Sequence, residues 1–416
     1  MTGGPTGSAG RRLWSFAAAL AIASMVVGWG SGLGSALDGC LGAAPVVRLS
    51  GTYRTEARYT SPANGTTFDA RRAGFLAYPY QSLYPFSIGT KTAPSRICVV
   101  GGLVLGQQPR NLTWDEMKKN YDGGGLLISS HGQYVVDGLR VDNLEDGVRP
   151  RGTEGRYPKD GDGFVMRNLY FTYIRDDCVE NDDIAGGIIA DSLFDGCYTG
   201  ISERPPHGSP QLAHPAPAGE TLLLDHVLLR LQAMPGPRVP HDLTSDRKDL
   251  GHGQLFKWSS VGNSLVVRHS VFLIEKAPNS SDYFPFPSGT VTQDVLLVWL
   301  GPGAFHWRLP AGTTVTTDRS VWDDARTVWL ARHGCTSFTS CSKLEDPAPI
   351  TSGTRSASQP LASPAGSLSA SNSLTEAGSS NASSSSERLP PVLLALAILG
   401  LVVTTGLLAV GVGRGP

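Results

Sequence analysis

Three stretches decide the fold: "VVDGLRVDNLEDGVRPR" (135–151), "VMRNLYFTYIRDDCVEN" (165–181) and "IIADSLFDGCYTGISER" (188–204). Set one beneath another, they share apolar columns: Val135, Val165 and Ile188; Val141, Phe171 and Phe194; Leu144, Ile174 and Cys197; Val148, Cys178 and Ile201. Gly138, Asn168 and Asp191 share a column suited to a turn, where a short polar side chain can bond neighbouring backbone. "LLLDHVL" (222–228) and "VVRHSVF" (266–272) repeat the opening half, with His269 in the turn column, and "ICVVGGLVLG" (97–106) reads as an earlier coil. Self-similarity at such spacing is the mark of a repeat architecture.

The units are too short for helix pairs and rich in β-branched residues, with turn residues between short apolar runs. One unit buries only four or five large apolar side chains, each worth about 1.5–3 kcal/mol. Ordering its backbone costs about 1–2 kcal/mol per residue, so a single coil cannot stand. Stacked coils can, because each pairs with the coils above and below and seals a shared interior. The expected fold is all-β: a right-handed parallel β-helix solenoid with one short α-helix. That helix is predicted at "TWDEMKKNY" (113–121), where Thr113 and Glu116 have capping-box spacing. The Pro- and Gly-rich insertions at 205–220 and 233–251 read as loops walling one side of the stack. After "DVLLVWL" (294–300) the repeat fades, and "RTVWLARHGC" (326–335) reads as a C-terminal cap.

The chain has 416 residues, a formal net charge of -1, 50 glycines and 29 prolines. Near-neutral charge without a basic run gives no reason to expect nucleic acid. Arg11 and Arg12 precede the uncharged "LWSFAAALAIASMVVGW" (13–29), so residues 1–44 read as a secretory signal or an uncleaved anchor. "VLLALAILGLVVTTGLLAVGV" (392–412) is long and apolar enough for a transmembrane helix, and residues 346–391 before it read as a Ser-rich stalk. A GPI signal is the alternative reading of the same tail. Residues 45–345 are then an extracytoplasmic ectodomain, with coils clearest at 95–330, anchored at the cell surface. Cys335 and Cys341 flank a short polar loop and are expected to pair, whereas Cys178 and Cys197 read as small core residues rather than nucleophiles or a disulfide. His207 and His214 lie in a Pro-rich loop without a second ligand at zinc-like spacing.

The coil pattern resembles the pectin-lyase-like β-helix superfamily over about residues 95 to 330, closest in cadence to uncharacterised exported β-helix proteins. "RDDC" (175–178) is similar to the Asp-Asp-Cys segment of polygalacturonases, and "GHG" (251–253) to their Gly-His-Gly segment. The resemblance implies that Asp176 and Asp177 serve as acid and water-activating base, with His252 beside them. Here the Gly-His-Gly follows several coils later than in that family, and no Arg-Ile-Lys element follows.

In the aligned columns Asp176 stacks on Asp146 and Thr199, Asp177 on Gly147 and Gly200, Glu180 on Glu203, and Asn181 lies between Arg151 and Arg204. "GQLFKWSS" (253–260) places Lys257 and Trp258 on the same face. Three readings follow. In a glycoside hydrolase, Asp176, Asp177 or Asp182 divide the acid and base roles. In a polysaccharide lyase, Asp176, Asp177 and Glu180 hold Ca²⁺, Arg204 or Lys257 takes the α-proton, and Trp258 stacks on a sugar; Asn181 and Glu203 join Glu180 in binding substrate. In the third reading the charges satisfy one another, with Arg204 bridging Glu203 and Asn181. The chain is thus expected to be an exported, membrane-tethered protein that binds an acidic polysaccharide and, in the enzymatic readings, cleaves it. The alternative is a non-catalytic adhesin or structural module. Cofactors are Ca²⁺ or none, and the oligomeric state is open.

Overall fold

The computed structural model describes residues 45–78, 84–92, 94–121, 123–130, 134–151, 163–205, 220–235, 250–276 and 286–345. The expected leader, stalk and transmembrane segment, and most of both insertions, lie outside them. Among the described residues no helix is long and apolar enough to cross a membrane.

Twenty strands join in one sheet whose ladders are all parallel, an all-β arrangement consistent with a β-helix solenoid. Strands one coil apart pair along three faces. The first runs through Cys98–Val100, Tyr134–Asp137 and Gly163–Arg167. The second includes Leu103–Gly106, Arg140–Asp142 and the start of Tyr170–Glu180. The third carries Gly124–Ser129, Asp146–Arg151 and Phe256–Trp258. Gly186–Glu203 is one continuous strand that contributes to all three.

Period-2 alternation turns every second side chain inward, and stacking turns those positions into apolar ladders. Phe68, Val99, Val136, Met166, Ile189, Leu224 and Val267 pair in register on the first face and are fully buried. Val104, Val141, Phe171, Phe194, Leu229, Phe272 and Leu297 do the same on the second. On the third face Phe86, Leu126, Val148, Val179, Ile201 and Phe256 complete the interior. The column Val135, Val165 and Ile188 is also in register, but it is only half-buried; the inward member of that strand is the next residue.

The corner between the first and second faces needs a left-handed backbone. Gly138, Asn168, Asp191, His226, His269 and Asp294 supply it, with φ of 78°, 54°, 42°, 56°, 47° and 52°. Gly carries no Cβ penalty there, and Asn, Asp and His are the side chains that best tolerate that region.

One residue breaks the sequence alignment. The strand Tyr170–Glu180 carries an extra residue between Ile174 and Asp177 relative to its partner. Val179, not Cys178, therefore pairs with Val148 and Ile201, and Asp177, not Asp176, lies opposite Thr199. Glu180 lies opposite Ser202 rather than Glu203. Such a bulge shifts every later side chain by one place. Cys178 and Cys197 are core residues, both fully buried, but contrary to expectation they are joined in a disulfide, because stacking brings their Cα atoms within 5.8 Å. Cys335 and Cys341 form a second, local disulfide.

Three helices, not one, occur among the described residues: α1 (Trp114–Tyr121), α2 (Ser320–Arg332) and α3 (Ser342–Glu345). In α1 the Glu116 N–H donates to Thr113 Oγ1 at 3.2 Å, while Glu116 Oε2 accepts from the Thr113 N–H at 2.9 Å, closing the capping box. The segment expected to cap the C-terminal end instead lies along the flank. Trp322, Ala325 and Trp329 of α2 bury against Tyr170, Leu193, Leu228, Val271, Leu273 and Val298, the side chains that the second face turns away from the interior. Trp329 Nε1 donates to the Asp191 carbonyl at 3.1 Å, and Arg326 pairs with Asp195 at 2.5 Å. Six strand residues from several coils make that outer face apolar, so covering it removes apolar surface from water.

Candidate functional site

The chain turns from the second to the third face between Leu144 and Asp146 in one coil and between Ile174 and Asp177 in the next. The Asp176 N–H donates to the Glu145 carbonyl at 2.7 Å, locking the bulged segment onto the coil before it. The result is a strip of carboxylates: Glu145, Asp146, Asp176, Asp177, Glu180 and Asp182.

Each of the central ones meets a cation from a distant part of the chain. Asp177, 1% exposed, lies 2.7 Å from Lys257 Nζ. Asp176, whose side chain is 18% exposed, lies 3.5 Å from Lys118 Nζ on α1; Lys118 also pairs with Glu145. Glu180 pairs with Arg149 at 2.9 Å and accepts from the Tyr84 hydroxyl at 3.4 Å. Asp146 Oδ1 accepts from the Asp177 N–H at 3.2 Å. Asp177 Oδ1 is buried without a hydrogen-bond partner.

Burial dominates the electrostatics of the strip, and like charges add to it. Burial, then the neighbouring Asp177, push Asp176 up to about 6 against the pull of Lys257 and Lys118. Burial likewise pushes Glu180 up to about 7, with Arg149 opposing and Asp177 and Asp182 reinforcing. Asp146 is held well above the usual carboxylate range by burial and by Glu180, Asp176 and Asp177. For Lys257 burial works downward, but Asp177 and then Asp176 outweigh it and hold the ammonium charged.

The remaining expected residues divide. Asp182 sits at the strip's edge, where Oδ1 accepts from Ser202 Oγ at 2.6 Å and from the Arg204 N–H at 3.1 Å. The exposed Arg204 contributes that backbone donor, while Asn181 Nδ2 reaches Glu203 Oε1 directly at 2.7 Å. Glu203 also accepts from the Asn263 N–H at 2.7 Å and Nδ2 at 3.0 Å, so Asn181, Glu203 and Asn263 form a buried network. Trp258 is half-buried, with Nε1 donating to the Asn263 carbonyl at 3.2 Å and an edge contact to Phe256. His252 stands apart: it is fully buried, and its ring nitrogens lie 3.0 Å from the Gly253 carbonyl and 2.6 Å from that of Lys276. Burial lowers its pKa, so it is neutral near pH 7.

Sequence reasoning missed Lys118, Arg149, Tyr84 and Glu145. Arg149 follows Val148, an inward position, so alternation alone marks it as outward-facing on the strip. Lys118 gave no such signal, because the helix was legible but its docking was not.

The donor set tests calcium directly. Ca²⁺ takes six to eight oxygens. Asp176, Asp177 and Glu180 are each already paired with Lys118, Lys257 or Arg149. Oxygens of Glu145, Asp146 and Asp176 do lie within 4.8 Å of one another, but Lys118 reaches two of those three residues. The strip supplies its own cations. Compared with known protein families, curated proteins and solved structures, the chain gives no significant match.

Proposed function

We propose that this chain is an exported, membrane-tethered, right-handed parallel β-helix protein of the pectin-lyase-like kind that binds a polysaccharide along the carboxylate strip and hydrolyses it. One observation carries the reading: two partly accessible carboxylates lie on one strip, and burial pushes both up, Asp176 to about 6 and Glu180 to about 7. Both therefore titrate near neutral pH, where one can hold a proton while the other is ionised. Glu180 then protonates the leaving glycosidic oxygen and Asp176 activates the water or attacks the anomeric carbon. Asp177, buried against Lys257, does not reach the substrate; its charge raises the pKa of both neighbours.

The pairing of each central carboxylate with a protein cation favours hydrolysis over a calcium-dependent lyase. With Asp146 and Glu180 holding protons, Glu145, Asp176, Asp177 and Asp182 face Lys118, Arg149 and Lys257, so the strip carries little net charge. A neutral glycan suits that field as well as the acidic polysaccharide expected from the sequence. The second reading, a non-catalytic adhesin, is favoured by the pairing of Asp176, Asp177 and Glu180 with protein cations.

The test incubates the purified full chain with neutral, amino-bearing and acidic polysaccharides, the last with and without calcium. New reducing ends without unsaturated products are expected, with a rate maximum between pH 6 and 7. Glu180→Gln and Asp176→Asn should each reduce turnover about 100-fold or more. Unsaturated products that require calcium would make it a lyase. Glycan binding without turnover would make it an adhesin, and no binding to any glycan would reject both.

A further inference from the structure

The corner between the first and second faces holds a second cluster, at a different corner from the carboxylate strip. His226 and His269 occupy consecutive rungs of the left-handed turn column, and Asp225 precedes the first of them. Stacking places the two imidazole rings 4.8 Å apart, tilted by 30°. Both Nδ1 atoms converge on one oxygen: His226 Nδ1 lies 2.8 Å and His269 Nδ1 2.9 Å from Asp225 Oδ1. On the far side of its ring, His269 Nε2 faces Asp294 Oδ2 at 3.7 Å. Asp294 is the next rung of the same column.

We infer that Asp225, His226 and His269 form a binding site for a divalent transition metal of the zinc class, with Asp294 orienting His269 from behind.

Three features point this way. First, two imidazole nitrogens and a carboxylate oxygen within 4.8 Å of one another are a borderline donor set, suited to zinc rather than calcium. Ligand atoms of a tetrahedral zinc stand about 3.3 Å apart, so separations of 2.8 and 2.9 Å need each side chain to yield about half an ångström. Second, His269 stands between carboxylate oxygens, Asp225 Oδ1 2.9 Å from Nδ1 and Asp294 Oδ2 3.7 Å from Nε2. A metal at Nδ1 would leave the ring N–H on Nε2, facing Asp294, the carboxylate–histidine–metal relay that fixes ligand orientation. Third, side-chain exposures of 37% for His226 and 19% for His269 and Asp225 leave the cluster open to solvent, so water can complete the coordination. Bridging two coils, the metal would clip adjacent rungs together.

The test uses the full chain, made without tag histidines and stripped with a chelator, titrated with Zn²⁺ by calorimetry and with Co²⁺ by visible absorption. One saturable zinc per chain and a tetrahedral Co²⁺ spectrum are expected. His226→Asn and His269→Asn keep a residue that tolerates the left-handed turn but remove the nitrogen ligand. Their metal-free melting should match wild type, while zinc affinity falls at least about 100-fold; Asp294→Asn should lose about 10-fold or more. Absence of saturable zinc binding in the wild-type chain overturns the inference. So does zinc binding that survives His226→Asn together with His269→Asn, which would place the metal elsewhere.

Discussion

At the scale of single residues, the strip is governed by burial rather than by contact geometry alone. Asp176 and Glu180 are acids whose folded-state pKa values lie above their ordinary ones, about 6 and about 7. Between the ordinary and the raised values the native chain keeps protons that the unfolded chain has released. Stability from these two groups therefore falls as pH rises, the reverse of a carboxylate whose pKa is depressed by a salt bridge. Denaturant midpoints between about pH 5 and about pH 7 should decline, and Glu180→Gln should make that slope shallower. An unchanged slope would mean that Glu180 titrates near its ordinary value. The same scale explains the turn column: positive φ at successive corners restricts the side chains that fit. His269 could accordingly be read as a turn residue from its neighbours in sequence, but its approach to His226 and Asp225 could not.

At the scale of elements, α1 matters for what it carries. Its capping box holds the first turn, and Lys118 in its last turn reaches Glu145 and Asp176 on the strip. Thr113→Ala removes the cap and should cost about 1 kcal/mol of helix stability. Faster amide hydrogen exchange confined to residues 114–121 is the expected signature, with the strand amides unchanged. Helix α2 shows the opposite dependence. Its apolar face is legible in "RTVWLARHGC", yet the partner of that face is set by outward residues of strands Tyr170–Glu180, Gly186–Glu203 and Thr221–Leu231, far away in sequence. An expected cap therefore became a strap.

At the scale of the molecule, coils stacked by nearest-neighbour pairing are stabilised one interface at a time. The Cys178–Cys197 disulfide reinforces one such interface, across 19 residues of sequence, next to the strip. Replacing both cysteines by alanine should lower unfolding free energy by about 3 kcal/mol, read as a shift in denaturant midpoint. A shift under about 1 kcal/mol would mean that core packing alone holds the interface.

By itself the sequence determined the coil. Period-2 apolar columns, left-handed turn residues and a capping box are each written within a few neighbouring residues, because they follow from backbone sterics and alternation. That was enough to make the chain all-β and to mark the acids of "IRDDCVENDD" (174–183) as belonging to one coil. Only the tertiary structure decided the register and the partners. A bulge exists only relative to the strand beside it, so the extra residue before Asp177 moved Cys178 and Glu180 by one place without any local mark. Counter-ions come from wherever the stack brings the chain back, as Lys257 meets Asp177 across 80 residues. Sequence spacing sets which residues belong to a coil; the stacking of coils sets which of them meet.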